Sequence, residues 1–140
     1  MSSILRSSDA ARLAMHAAVK LAGAGAERRS AVVLARELGV SAAHMAKVLG
    51  RLEKAGLVLG TRGPNGGYVL ARPAREVTLA EVLEAIEGSS PEPRCPFDIP
   101  ACDGNGCLLA GFFRGVDRKV AARLSRTCLS DVHLELRGVK

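Results

Sequence analysis

"AVVLARELGVSAAHMAKVLGRLEKAGLV", residues Ala31–Val58, carries the most regular pattern in the chain. Val32, Val33, Leu34 and Leu38 predict a short helix that Gly39 ends. Ser41 stands where the next helix needs an N-cap, because its hydroxyl can accept a backbone N–H of the first turn. That second helix carries Met45, Val48, Leu49 and Leu52 at i, i+3, i+4 and i+7, one apolar face, and Gly56 stops it. Helix, glycine turn and capped helix predict a helix-turn-helix.

Toward the C-terminus the period changes. In "LVLGTRGPNGGYVLARPAREVTL", Leu57–Leu79, two β-prone runs flank "RGPNGG", which predicts a hairpin with a basic, glycine-rich tip. A hairpin placed directly after a helix-turn-helix makes a winged helix. Thr78 caps a further predicted helix with Leu79, Val82, Leu83 and Ile86 inward and Gly88 as its stop. Upstream, "SSDAARLAMHAAVKLAG", Ser7–Gly23, predicts a helix capped by Ser8 and ended by Gly23. Leu13, Ala17 and Leu21 form its apolar line, and Asp9, Arg12, His16 and Lys20 its polar stripe.

After "SSPEPR" and a cysteine-rich stretch, a long helix is expected from Leu108 to about Arg126. Leu109, Phe112, Phe113, Val116, Val120 and Leu124 recur on it at three- and four-residue steps. A single small core offers that stripe little cover, so it predicts a homodimer; the alternative is that it folds back on its own domain. The expected fold class is mainly α with a small β-hairpin wing: a winged helix-turn-helix (1–88), a cysteine loop (89–107), and a long dimerisation helix with the C-terminal segment (108–140).

Composition agrees with one domain. The 140 residues are 48% hydrophobic, with three Phe, one Tyr and no Trp, so Leu, Val and Ala must fill the core. No apolar run approaches the ~20 residues that span a bilayer. The N-terminal residues are charged throughout and lack a signal-peptide core. The chain is therefore expected in the cytoplasm, where clustered cysteines favour metal or redox chemistry over disulfides. The net charge of +6 is concentrated: Arg28–Arg75 holds nine basic residues against Glu37 and Glu53, and the remainder holds 11 basic and 12 acidic. A local basic patch suits a phosphate-rich partner, although an ordinary solvated face has the same composition. No nucleotide loop or Ser/His/Asp pattern occurs, and His16, His44 and His133 are scattered, so no enzyme is expected.

"CPFDIPACDGNGC" places Cys95, Cys102 and Cys107 in thirteen residues, spaced Cx6Cx4C. Such spacing lets one loop wrap a metal centre, and its prolines and glycines permit the sharp turns this needs. Thiolates bind iron–sulfur clusters and zinc alike, and a chance cluster of structural cysteines is the plain alternative. Cys128 reads as a small packing residue.

Together, "SAAHMAKVLGRLEKAGLV", "RGPNGGYVLARPAREVTLAEVLEAIEG", the three-cysteine loop and the long helix resemble the Rrf2 family of bacterial transcription regulators, from about Leu5 to Leu136. "GLV…RGPNGGY" is the most specific element. The resemblance implies a winged-helix dimer on palindromic operators of double-stranded DNA. In several subfamilies it also implies an iron–sulfur cluster that senses redox state, nitric oxide or iron–sulfur status.

Ala43, Ala46 and Lys47 match positions that read bases in such proteins. Alanine can only touch a thymine methyl or leave room, so Lys47 is the main polar reader. Ser41 and His44 are candidate backbone contacts, His44 alternatively a half-buried packing residue. Arg62 is a candidate for the minor groove, with Gly63, Gly66 and Gly67 allowing close approach to the sugar-phosphate chain. Arg28, Arg29, Arg51 and Lys54 are candidate phosphate contacts.

The loop supplies three of the four protein ligands a cluster normally takes, and [2Fe-2S] and [4Fe-4S] both stay open. Where one subfamily has a histidine three residues after the last cysteine, this chain has Ala110. The acidic ligand that others take from the first helix is Arg12 here, which cannot ligate. His16, then Asp9, then Cys128 are the candidates for the fourth corner, and an exposed residue on a polar helix face is the plain alternative for His16. A cluster-free regulator switched by thiol oxidation or zinc, and a winged-helix protein–protein module, are the other functions the residues allow.

Overall fold

The first four helices each begin on a hydroxyl residue. Ser8, Ser30, Ser41 and Thr78 accept the backbone N–H three residues on, at 3.1–3.2 Å, which satisfies a donor the helix itself leaves unpaired. A computed structural model describes residues 7–89 and 95–135. The order is α1 (Asp9–Ala24), α2 (Ala31–Leu38), α3 (Ala42–Lys54), β1 (Val58–Thr61), β2 (Gly67–Leu70), α4 (Leu79–Glu87) and α5 (Leu108–Arg126). Two 3₁₀ turns, Ala74–Glu76 and Leu129–Asp131, complete it. This is the winged helix expected from the sequence.

Helices α2 and α3 end in the same way. The N–H of Val40 reaches the carbonyl of Ala35 and that of Gly39 reaches Arg36; Leu57 reaches Leu52 and Gly56 reaches Glu53. Both are Schellman closures, which need a left-handed residue, and Gly39 (φ 69°) and Gly56 (φ 77°) supply it. Helix α1 runs past Gly23 to Ala24 and is capped by Gly25 at φ 60°. A lone glycine costs a helix only about 1 kcal/mol, and the buried alanines of α1 outweigh that.

The core gathers around α1, which buries Ala11, Leu13, Ala14, Ala17, Ala18, Val19 and Leu21. Its small side chains let α3, α4 and β2 pack close to it. Helix α3 contributes Met45, Val48, Leu49 and Leu52, as the periodicity predicts, and α4 contributes Val82, Leu83 and Ile86. In α2 the buried residues are Leu34 and Ala35; Val32 is 55% exposed and Val33 half-buried. With eight residues, α2 has one inward face, and Leu34 and Ala35 occupy it.

Strands β1 and β2 pair antiparallel from Val58↔Leu70 to Thr61↔Gly67, leaving residues 62–66 as the wing tip. Arg29 adds a third edge, bonding Tyr68 in both directions at 3.0 and 2.8 Å. The end of α5 is clipped back to the body. Leu79 N–H donates to Thr127 O and Leu129 N–H to Val77 O, both at 2.9 Å, and Leu129 enters the core. The front half of α5 has no such cover. Leu108 is 88% and Phe112 61% exposed, Leu109 is exposed, and Phe113, Val116, Val120 and Leu124 are half-buried. Among the described residues no helix is long and apolar enough to cross a membrane.

Thr78 and Glu81 form a capping box, and Arg72 closes on the same carboxylate at 2.6 Å. The Thr78 backbone N–H, then Arg72, hold the Glu81 carboxyl below the usual carboxylate range, against the opposing effect of burial. A depressed folded-state value means stability that is present above the unfolded value and lost as pH falls through the folded one. Thr78→Ala is therefore expected to cost about 1 kcal/mol at neutral pH by urea unfolding. Glu81→Gln is expected to flatten the acid limb of the stability–pH profile; an unchanged limb would remove this role for Glu81.

Candidate nucleic-acid interface and cysteine loop

Burying one face of α3 turns the other to solvent. Ser41, Ala43, Ala46 and Lys47 are exposed, so the residues matched to base-reading positions share an open surface at the start of the helix. Ser41 serves as the cap as well, its Oγ accepting from His44 N–H. His44 is half-buried, which favours its packing role.

On the wing, Arg62 and Gly63 are exposed at the tip. A Cβ on Gly66 would collide with the carbonyl oxygen of Thr61, and one on Gly67 (φ 134°) would lie 2.9 Å from the Arg29 carbonyl carbon. The tip is therefore built on two backbone approaches that admit no side chain. Arg28 donates from Nη1 to the Asn65 carbonyl at 3.3 Å, tying the tip to the entry of α2. A cavity of about 470 Å3, lined by Ser30, Glu53, Arg62, Gly66 and Tyr68 among others, separates the wing from α2.

The basic residues divide. Arg28, Lys47, Arg51, Lys54 and Arg62 are exposed. Arg29 is half-buried and pairs with Glu37 at 3.1 Å, while Lys20 meets the other oxygen of Glu37 at 2.9 Å. Arg29 thus joins α1, α2 and the wing, and its charge is already matched. Arg51 donates to the Ile86 carbonyl in the last turn of α4. Neither partnership follows a local pattern; Glu37 was legible only as one of two acids in a basic segment.

The cysteine loop is a chain of tight turns: Asp98 N–H to Cys95 O at 3.1 Å, Cys102 N–H to Ile99 O at 2.8 Å, and an Asp103–Asn105 side-chain turn. Its middle lies on α5. Arg114 Nη2 donates to Gly104 O at 3.1 Å, and Ala110 is buried where Gly104 rests near it. Phe97 stacks edge-on against Phe113, with centroids 5.6 Å apart. All three thiols are free, Cys95 half-buried and Cys102 and Cys107 exposed; Cys107 occupies the N-cap of α5, where its sulfur takes no capping bond.

Among the described residues no three His, Cys, Asp or Glu side chains stand close enough to hold a metal ion. Cys95, Cys102, Cys107 and His16 are therefore not gathered into one site within this chain. His16 is exposed on α1, its Nδ1 2.7 Å from the Arg12 carbonyl, and Asp9 pairs with Arg12. Cys128 is half-buried, and its N–H donates to Asp131 Oδ2 at 2.9 Å beside the bridge to Thr78. The donor set fits a thiophilic metal or cluster in kind, three accessible sulfurs outside any disulfide, but supplies three corners only.

The family model Rrf2, described as an iron-dependent transcriptional regulator, matches residues 7–134. The HTH-type transcriptional regulator IscR of Photorhabdus laumondii is 33% identical over 94 residues, which are 67% of this chain and 57% of that protein. The IscR of Xenorhabdus nematophila is 32% identical over the same shares. The chain thus spans little more than half the length of these curated relatives. Among solved structures, T. potens IscR is 26% identical, with a TM-score of 0.71 over 91% of this chain and 85% of that one. CymR, the global cysteine regulator of B. subtilis, is 24% identical, with a TM-score of 0.76 over 91% and 95%. The latter likeness is one of fold.

Proposed function

The chain belongs to the Rrf2 family of transcriptional regulators, and we propose that it is a DNA-binding regulator, not an enzyme, whose operator affinity is set by the state of its cysteine loop. The observation that carries this is the pairing of an open α3 surface with a glycine-built wing inside the basic segment Arg28–Arg75. Helix α3 enters the major groove of a palindromic duplex with Ala43, Ala46 and Lys47 toward the bases. Ser41 lies along the backbone, Arg28 and the Gly63–Gly66 turn meet the sugar-phosphate chain, and Arg62 reaches into the minor groove. Two small residues at reading positions leave much of the selectivity to groove shape. The cytoplasm is where such a regulator works.

The exposed stripe of α5 supports a homodimer. Leaving Leu108, Leu109 and Phe112 in water forgoes burial worth about 1.5–3 kcal/mol per large side chain, and a second α5 recovers it. Sedimentation at micromolar concentration is expected to give a dimer for the wild type and a monomer for Phe112→Glu.

The loop reading is an iron–sulfur cluster on Cys95, Cys102 and Cys107, with His16 the first choice for a fourth, noncysteine ligand, brought by the second subunit or by rearrangement. When bound, a cluster supplies a redox couple and a target for nitric oxide. The family's description as iron-dependent and the three free thiols support it. The exposure of Cys102 and Cys107 and the ungathered ligands favour a second reading, a cluster-free switch through thiol oxidation or zinc.

Anaerobically purified protein is expected to be brown, with about four or fewer irons per chain. His16→Ala should alter that spectrum if His16 ligates; colourless protein carrying zinc would establish the second reading. On duplex DNA, Arg62→Ala is expected to weaken binding and reduce the salt slope by about one contact. Unchanged affinity and slope would remove Arg62 from the interface.

A further inference from the structure

Arg51 lies one turn beyond Lys47 on α3, and the sequence pattern groups it with the phosphate contacts. Its guanidinium instead donates to the carbonyl of Ile86. That carbonyl belongs to the last turn of α4, where four acceptors have no partner within the helix. A cation there both satisfies an acceptor and meets the negative end of the helix. The same turn is held from another side. Ser8, which caps α1, donates to Glu87 Oε1 from both its N–H (2.9 Å) and its Oγ (2.7 Å). Ile86 itself is buried in the core. Residues Ile86 and Glu87 are thus a junction on which α1 and α3 are both anchored.

We propose that Arg51 is a positioning residue and not a phosphate contact: it sets the reading helix against the last turn of α4. The proposal rests on the regulator reading above. One guanidinium nitrogen, Nη2, is directed to a helix-end carbonyl 35 residues away on another helix, and at the negative end of α4 that bond holds the guanidinium toward the body of the protein.

The test uses the full chain and two probes: a duplex selected from a random-sequence pool by the wild-type protein, and a scrambled duplex of equal length. Arg51→Met removes the guanidinium and keeps much of its stem. Binding to the selected duplex is expected to weaken about tenfold, as the loss of one well-placed base contact would. Binding to the scrambled duplex and the salt slope should stay unchanged. A slope reduced by about one, with both duplexes weakened alike, would make Arg51 a phosphate contact and overturn the proposal; so would unchanged affinity on both.

Should Arg51→Met fail to fold, nitrogen-15 spectra of the wild-type arginine side chains decide the same point. The Arg51 Nε signal should hold its place as scrambled duplex is added, and a shift as large as that of Arg62 overturns the proposal. If wild type binds the selected and scrambled duplexes equally, it is the sequence-specific regulator reading that fails, and the positioning role is still decided by the salt slope of Arg51→Met.

Discussion

Met45, Val48, Leu49 and Leu52 are withdrawn from water almost completely, each no more than 1% exposed, and the rest of the molecule is arranged around that burial. Each such side chain contributes about 1.5–3 kcal/mol, so α3 cannot turn about its axis without a large penalty. Successive helical residues lie about 100° apart, and fixing four apolar positions therefore fixes which residues face outward. Ala43, Ala46 and Lys47 face solvent because their neighbours are needed in the core. Core packing and the makeup of the exposed face are one constraint seen from two sides.

The wing depends on the same helix. Gly56 closes α3 in a left-handed turn and sends Leu57 and Val58 straight into the core, so the hairpin starts from a rigid base. The backbone of Gly67 then passes so near Arg29 that a side chain is excluded, and the two Arg29–Tyr68 bonds lock the hairpin against the entry of α2. Glu37 extends this lock to α1 by holding both Lys20 and Arg29. Contacts thus run from α1 to the wing through Glu37 and Arg29, and from α1 to α3 through the last turn of α4.

The loop and α5 are built differently. The loop is made of short-range turns, pinned to α5 by Arg114 at Gly104 and by the Phe97–Phe113 contact, with little of its own core. Segments with few buried contacts open at low cost. The three sulfurs are accessible and unpaired by disulfides, and the exposed apolar front of α5 lies next to them.

Local patterns in the sequence determined the elements. Period, caps and glycine stops placed α3, α4 and the hairpin, and those signals act within a few residues of one another. They failed where a longer-range term won: α1 ran through Gly23 because its alanines were buried, and Val32 faced solvent because α2 had room for one stripe. The chemistry of the candidate site was legible in kind, as basic residues near a wing and as three thiols in a loop. Which charges were free was not. Arg29 and Arg51 look alike in sequence to Arg62, and only the approach of Glu37 and of the Ile86 carbonyl, 8 and 35 residues away, separated them. Ion pairs and helix-end bonds between distant segments depend on where the folded core brings the chain together, and no local spacing encodes that meeting.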